Sequence, residues 1–232
     1  MMKKLIMTLI VAAAVSVAPA QTLNELLLHF SDKDMEVPVE VRQKMVDNKG
    51  NTIPLYDQYK LNIYDKRARF LRITTPLEVT YEICAWKLGK KELLVALCET
   101  RCGNSCGSKI KFFLPHENWR EIPAEQYIPE FTLDDIFDSK KLEKNYYTPQ
   151  NIIKDFEVKT QFLLPQTGND IVVIFTCLDE LEKSEYQRIY KYLRGAMVDL
   201  IWEKGSFKKR IQQERIPLDQ LGNLLPQPQK QE

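Results

Sequence analysis

The chain predicts an α+β fold: antiparallel β-sheets and hairpins with short helices, arranged as two similar α+β halves. Three observations carry this. From Tyr59 onward the apolar residues recur with a period of two, the signature of half-buried strands. Gly- and Asn-containing turns separate these runs at short intervals, which favours hairpins over crossovers. Short stretches of helical periodicity precede each set of strands, giving halves at 21–130 and 131–223. No residue-level repeat relates the two halves.

The elements follow in order. Thr22-Leu23-Asn24-Glu25 is a capping box, in which the hydroxyl and the carboxylate satisfy early helix N–H groups reciprocally. Leu23, Leu26, Leu27 and Phe30 then form an apolar stripe at i, i+3, i+4 and i+7. A second short helix is expected within Asp32–Asp47, with Pro38 near its first turn, ending at Asn48-Lys49-Gly50-Asn51. Strands are expected at Lys60–Tyr64, Arg69–Thr74, Leu77–Leu88, Lys91–Cys102 and Lys109–Leu114. Leu93–Cys102 is apolar on both faces near its start, as a central covered strand should be. Leu88-Gly89-Lys90-Lys91 reads as a tight hairpin turn. Its register sets Cys84 opposite Val95 and on the other face from Cys98.

Pro115–Pro129 reads as a connection, Thr132 as the cap of a short helix at Leu133–Asp138, and Ser139–Gln150 as an exposed polar loop. Strands return at Phe156–Leu164, Ile171–Cys177, Ala196–Trp202 and Ser206–Lys209, with a charged helical stretch at Leu178–Tyr192. The Pro/Gln-rich tail at 224–232 reads as disordered.

Residues 1–20 read as a signal peptide. Lys3 and Lys4 precede an apolar run from Leu5 to Val17, and Ala18-Pro19-Ala20 supplies the small residues of a cleavage site. Cleavage after Ala20 is expected, leaving no transmembrane segment and placing the protein in the periplasm or at the cell surface. Losing Lys3 and Lys4 leaves 31 basic residues of 33 against 32 acidic ones, moving the formal charge from +1 to −1. No basic field recruits nucleic acid at that balance. No GxGxxG, Walker or GxSxG motif occurs, so no cofactor is expected.

All five cysteines follow the leader, at 84, 98, 102, 106 and 177. Export makes disulfides the default reading. Cys98-x3-Cys102-x3-Cys106 resembles a ligand run. However, four residues of extended strand hold Cys98 and Cys102 roughly 13 Å apart, too far for a mutual bond. Cys106 lies in the turn and folds back on Cys102, so Cys102–Cys106 is the expected bridge, worth about 2 kcal/mol for so small a loop. The competing reading is a redox-active pair at an exposed turn, with Arg101 and Lys109 nearby. A metal site ranks below both. Cys84, Cys98 and Cys177 read as buried thiols, with a bridge from Cys177 to one of the others as an alternative. The odd count leaves at least one unpaired or paired between chains.

The remaining candidates have plain structural readings. His29 lies off the apolar stripe and reads as solvated. His116 sits beside Glu117, at the far end of its strand from Cys106, which argues against a His–Cys pair with Cys102 or Cys106. Asp134, Asp135 and Asp138 lack the spacing of a calcium loop or a glycosidase pair and read as charging a helix start. Lys208-Lys209-Arg210 reads as a solvated edge, with Trp202 and Phe207 as core residues. No residue is assigned as catalytic, cofactor-binding or metal-binding.

Leu94-Val95-Ala96-Leu97-Cys98-Glu99-Thr100-Arg101-Cys102, then Ser108-Lys109-Ile110-Lys111-Phe112-Phe113 and Trp119, resemble the central signature of domain of unknown function 3256, a secreted family of Bacteroidales. Ile201-Trp202-Glu203-Lys204-Gly205-Ser206-Phe207 is similar to its closing segment. Where members carry a Pro-containing turn, this chain has Gly103-Asn104-Ser105-Cys106. The resemblance implies an exported protein of Gram-negative bacteria and assigns no activity. The leading functional expectation is a non-catalytic binding or envelope-assembly module with a protein or glycan partner. A thiol/disulfide-active envelope enzyme using Cys102 and Cys106 is the alternative, and a hydrolase with a groove between the halves is a third.

Overall fold

The computed structural model describes residues 22–48, 54–55, 58–90, 92–138, 140–141 and 157–211. The expected signal peptide at 1–20, most of the expected loop at 139–150 and the expected tail at 224–232 lie outside these residues. Among the described residues, no helix is long and apolar enough to cross a membrane.

Two antiparallel sheets face each other. The larger runs in simple chain order through β1 (Pro54–Leu55), β2 (Tyr59–Asp65), β3 (Phe70–Thr74), β4 (Thr80–Lys87), β5 (Leu93–Cys102), β6 (Cys106–Leu114) and β7 (Arg120–Ile122). The smaller comprises β8 (Thr160–Leu163), β9 (Ile171–Phe175), β10 (Met197–Glu203) and β11 (Ser206–Ile211), again a meander. Helices α1 (Leu23–His29) and α2 (Val39–Asp47) cover the outer face of the large sheet. Short α3 (Leu133–Ile136) and α4 (Lys183–Ile189) contribute Ile136, Tyr186 and Ile189 to the core shared by the sheets. The α+β class with antiparallel hairpins is therefore correct.

Strand β5 explains the layering. Leu94, Ala96 and Cys98 enter the core between the sheets, against Val173, Phe175, Val198 and Phe207. Leu93, Val95 and Leu97 enter the core beneath α1 and α2, against Leu26, Leu27, Met45 and Tyr81. A strand apolar on both faces can satisfy its side chains only as the middle layer of three.

The local chemistry of the helices matches their boundaries. Thr22 and Glu25 complete the capping box of α1, at 3.3 and 2.8 Å. The second helix starts only at Val39, because Pro38 supplies no N–H and occupies its N-cap. Arg42, almost wholly buried, ties the pair together. Its guanidinium donates to the carbonyls of Leu27 (3.2 Å), Phe30 and Val37 (2.9 Å) and pairs with Asp32 at 2.6 Å. The orphan carbonyls at the end of α1 are thus satisfied by a side chain of α2.

The structure corrects several of these assignments. Lys87 pairs with Leu93 and Leu88 N donates to Glu92 O at 3.0 Å, so the β4–β5 turn is one residue longer than expected. Cys84 therefore lies opposite Ala96, and the one-residue slip puts it on the same face as Cys98. Leu77–Val79 form a turn instead of strand: the Thr75 hydroxyl accepts from Val79 N, and Glu78 takes a left-handed φ of 59°. Cys106 opens β6 rather than sitting in the turn. The helical stretch at 178–192 breaks at Leu181, which is extended, and restarts at Glu182, whose carboxylate makes a capping box with Glu185.

The small sheet docks through an unusual seam. β8 is an edge strand, yet side chains from the large sheet engage its free main-chain groups. Ser108 Oγ accepts from Phe162 N at 3.1 Å, and Glu82 Oε2 accepts from Leu164 N at 2.9 Å. The Cys98 thiol donates to Phe162 O (3.8 Å) and the Cys84 thiol to Pro165 O (3.7 Å). A buried edge without such partners would leave polar groups unsatisfied at a cost of about 1–3 kcal/mol each.

Candidate functional site

The disulfide candidates Cys102 and Cys106 lie at one end of the large sheet, where the β3–β4 and β5–β6 turns meet. Thr74 pairs with Thr80, Thr80 with Thr100, and Thr100 with Ser108, which places these turns side by side. Cys102 and Cys106 are register partners joined by a disulfide, with Cα atoms 4.0 Å apart. The bridge closes the three-residue Gly103–Ser105 loop. Cys102 is exposed and Cys106 buried.

Three further contacts fix this tip onto the small sheet. The Thr176 hydroxyl donates to Cys106 O at 2.5 Å. The Ser105 hydroxyl donates to Glu180 at 2.6 Å, and Lys159 pairs with the same carboxylate at 2.8 Å. Hydrogen bonds from Lys159 and Ser105 hold Glu180 below its ordinary range. On the helical side, Arg101 bonds Glu99 at 2.6 Å and Glu36 at 2.8 Å. These bonds, that to Glu99 first, raise the guanidinium further. Buried Tyr81 accepts from Glu36 N at 3.0 Å and donates to Glu99 at 3.4 Å, and burial pushes its phenol up. Rigid supports therefore flank the tip on both sides.

Between them lies an open groove of about 430 Å³. One wall is Glu99, Arg101 and Gly107–Lys109, and the other is Glu157–Thr160. The neighbouring turn presents Leu77, 77% exposed, at its apex.

The three remaining thiols are buried and free. Burial pushes both Cys84 and Cys98 up to about 12, so each stays protonated and can donate to the β8 edge. Burial also raises Cys177. Slow nucleophiles of this kind support packing rather than exchange chemistry.

The other candidates lie elsewhere. His116 is at the far end of β6 from the disulfide, 3.7 Å from Glu117, so no His–Cys pair forms there. His29 is exposed as expected, but its ring stacks on Trp119 at 4.5 Å. Asp135 accepts from Thr132 N at 2.8 Å in a capping box and pairs with Lys209 at 2.7 Å, and Asp138 pairs with Lys141 at 3.2 Å. Among the described residues, no group of three His, Cys, Asp or Glu could hold a metal ion. The solvated-edge reading fails for Lys209, which turns inward onto Glu130 O, Asp135 and the Phe131 ring. Trp202 and Phe207 pack beside Trp86 in the core.

Sequence reasoning missed Glu82, Arg42 and Tyr81. Each is a polar residue buried by partners from another element: Glu82 by Arg72 and Leu164, Tyr81 by Glu36 and Glu99, and Arg42 by the end of α1 and the segment after it. The only local signal for Glu82 and Tyr81 was a charged or phenolic side chain inside a strand pattern, and Arg42 had none.

Comparison with known proteins agrees with this architecture. A family model described as a protein of unknown function, DUF3256, matches residues 51–207, more than half of the chain. The chain belongs to the DUF3256 family. Its DUF3256 match contains the whole β4–β6 signature, the disulfide and the seam. The structure of a domain of an uncharacterized protein from Porphyromonas gingivalis W83 is similar to it, with a TM-score of 0.66 and 14% identity. That match covers 82% of this chain and 98% of the other, and it speaks for the fold alone. No curated protein matches.

Proposed function

We propose that this DUF3256 protein is an exported, non-catalytic binding module of the periplasm or cell surface. Its working surface is the disulfide-pinned end of the large sheet. The observation that carries the reading is the construction of that end. A covalent bridge, the Thr176 and Ser105 bonds and the Glu36–Arg101–Glu99 set all hold an exposed three-residue loop in one shape. Pre-ordering a loop lowers the entropy lost when a partner binds. Leu77 adds an exposed apolar contact beside it.

Photo-crosslinking in the native host tests this. A photoreactive residue at Asn104 or Leu77 is expected to give discrete protein adducts, and one at Lys66 or Glu117, at the opposite end, is not. Equal labelling from both ends, or none from the tip, would defeat the reading. Mass spectrometry of the fractionated protein tests export: a chain starting at Gln21 is expected, and an intact Met1 in the cytosol contradicts it.

The exposure of Cys102 favours a second reading, a thiol-exchange role for the same bridge. It requires that the bridge oxidise a model dithiol substrate to its disulfide, Cys102 and Cys106 becoming thiols, which the Cys102→Ser variant cannot do.

A further inference from the structure

β7 pairs with β6 only at Phe112–Leu114. Toward the hairpin tip, β6 has no ladder neighbour on that side among the described residues. The register shows which groups this leaves open. The 4.0 Å separation of Cys102 and Cys106 is the close spacing of a non-hydrogen-bonded pair. Every second residue from Cys106 therefore turns its main-chain N–H and C=O away from β5. The Cys106 carbonyl is taken by Thr176. Ser108 and Ile110 come next, and their outward main-chain groups have no hydrogen-bond partner among the described residues.

The facing edge belongs to β8. The large sheet satisfies its outer N–H groups at Phe162 and Leu164. Upstream, along Glu157–Thr160, the groove opens between the two edges. Gly107 keeps it clear, since nothing lies within 4 Å of the place a Cβ would occupy. Each wall carries one charge without an ion-pair partner among the described residues, Glu157 on the β8 side and Lys109 on the β6 side. Arg101 is neutralised by Glu99 and Glu36, and Lys159 by Glu180. Lys109 is exposed on the rim, and its ammonium has no partner among the described residues.

We infer that the seam between β6 and the start of β8 is a strand-addition site for an extended peptide segment carrying a carboxylate. The peptide pairs with the open main chain of Ser108 and Ile110 and sets an acidic side chain against Lys109. This rests on the binding reading above and specifies the partner's chemistry. Gly107–Ile110 offers roughly 13 Å of edge at ~3.3 Å per residue, enough for three to four residues of partner strand. Main-chain bonds would supply affinity, and alternate side chains, including the one opposite Lys109, selectivity. A lysine on an open edge also discourages self-pairing. Reversing its charge separates the two roles.

The test uses the purified full chain, panned against a displayed random heptapeptide library. Enriched peptides are then measured by fluorescence polarisation. Enrichment of acidic peptides is expected. N-methylation of one alternate set of peptide nitrogens should weaken binding tenfold or more, and methylation of the other set should leave it nearly unchanged. Lys109→Glu should shift selection toward basic peptides. Ile110→Pro, which removes an outward N–H and leaves the β5 ladder intact, should also cost tenfold or more. If that variant misfolds, the N-methyl series tests the same bonds on the unaltered protein. The inference is overturned by peptides that tolerate both methylation sets, by no enrichment over bare support, or by a dimer closed through this edge. Any of these with tip cross-links retained removes strand addition and leaves the binding reading standing. Loss of the tip cross-links removes the binding reading itself.

Discussion

Removing the Glu82 carboxylate should unlatch the two sheets. Glu82 is 3% exposed. Its Oε1 takes two bonds from Arg72, at 2.7 and 2.5 Å, and its Oε2 takes the N–H of buried Leu164 at 2.9 Å. In Glu82→Ala that N–H loses its acceptor in the core, a cost of about 1–3 kcal/mol. The broken ion pair adds less than the 3–5 kcal/mol of a fully buried one, because the Arg72 side chain is 35% exposed and can rehydrate. Together these give about 3 kcal/mol, or a melting temperature lowered by roughly 6–12 °C for a chain of this size. Glu82→Gln keeps an acceptor for Leu164 and should cost about half as much. Urea titration followed by tryptophan fluorescence reads the change, since Trp86 and Trp202 lie in the shared core. A Glu82→Ala protein within 0.5 kcal/mol of the parent would show that the seam does not hold the sheets together.

Further outcomes follow from the same geometry. Replacing both Cys102 and Cys106 by Ser should lower stability by about 2 kcal/mol, and a reductant should do the same to the parent, as read by thermal melts. Iodoacetamide at pH 8 should leave Cys84, Cys98 and Cys177 unmodified in the folded protein and alkylate all three in guanidinium, as counted by mass spectrometry. Asp179 has a buried oxygen without a partner, and burial raises its pKa above 3.8. Its ionisation therefore costs stability once the pH rises past 3.8, so Asp179→Asn should raise the melting temperature at pH 7 and leave it unchanged at pH 3. Asp34 has the opposite sign. Burial pushes it up, but its bonds to Ser31 and Lys111 outweigh that and hold it below 3.8. Its contribution is present above pH 3.8 and is lost as the pH falls through the lower folded value, a component that Asp34→Asn should remove from an acid titration of stability.

Sequence reasoning reached what is local. The Thr22–Glu25 capping box, the doubly apolar β5 and the Cys102–Cys106 pairing depend on residues within a turn or strand of one another. It failed where the decisive partner is distant or the backbone is uncued. Nothing near Glu82 cues its burial until Leu164, 82 residues later, is laid against it. The three-residue β7 follows a reversal through Asn118 and Trp119, both left-handed at φ 54° and 57°, and no glycine marks the spot. One extra residue after Leu88 moved Cys84 to the opposite face, because strand periodicity carries no tolerance for a loop miscounted by one. Of the candidate site, the disulfide was legible. The groove was not, since its far wall arrives some fifty residues later.

If the protein is exported as proposed, the β8 contacts of Cys84 and Cys98 bear on the order of its assembly. Cys102 and Cys106 are near enough along the chain to find each other before any sheet closes. Cys84 and Cys98 are sequestered only when the strand at 160–163 lies down upon them. Any delay in the arrival of the C-terminal half prolongs the interval in which sulfur can couple with the wrong neighbour. On that proposal, correct oxidation is a race that the C-terminal strands must win.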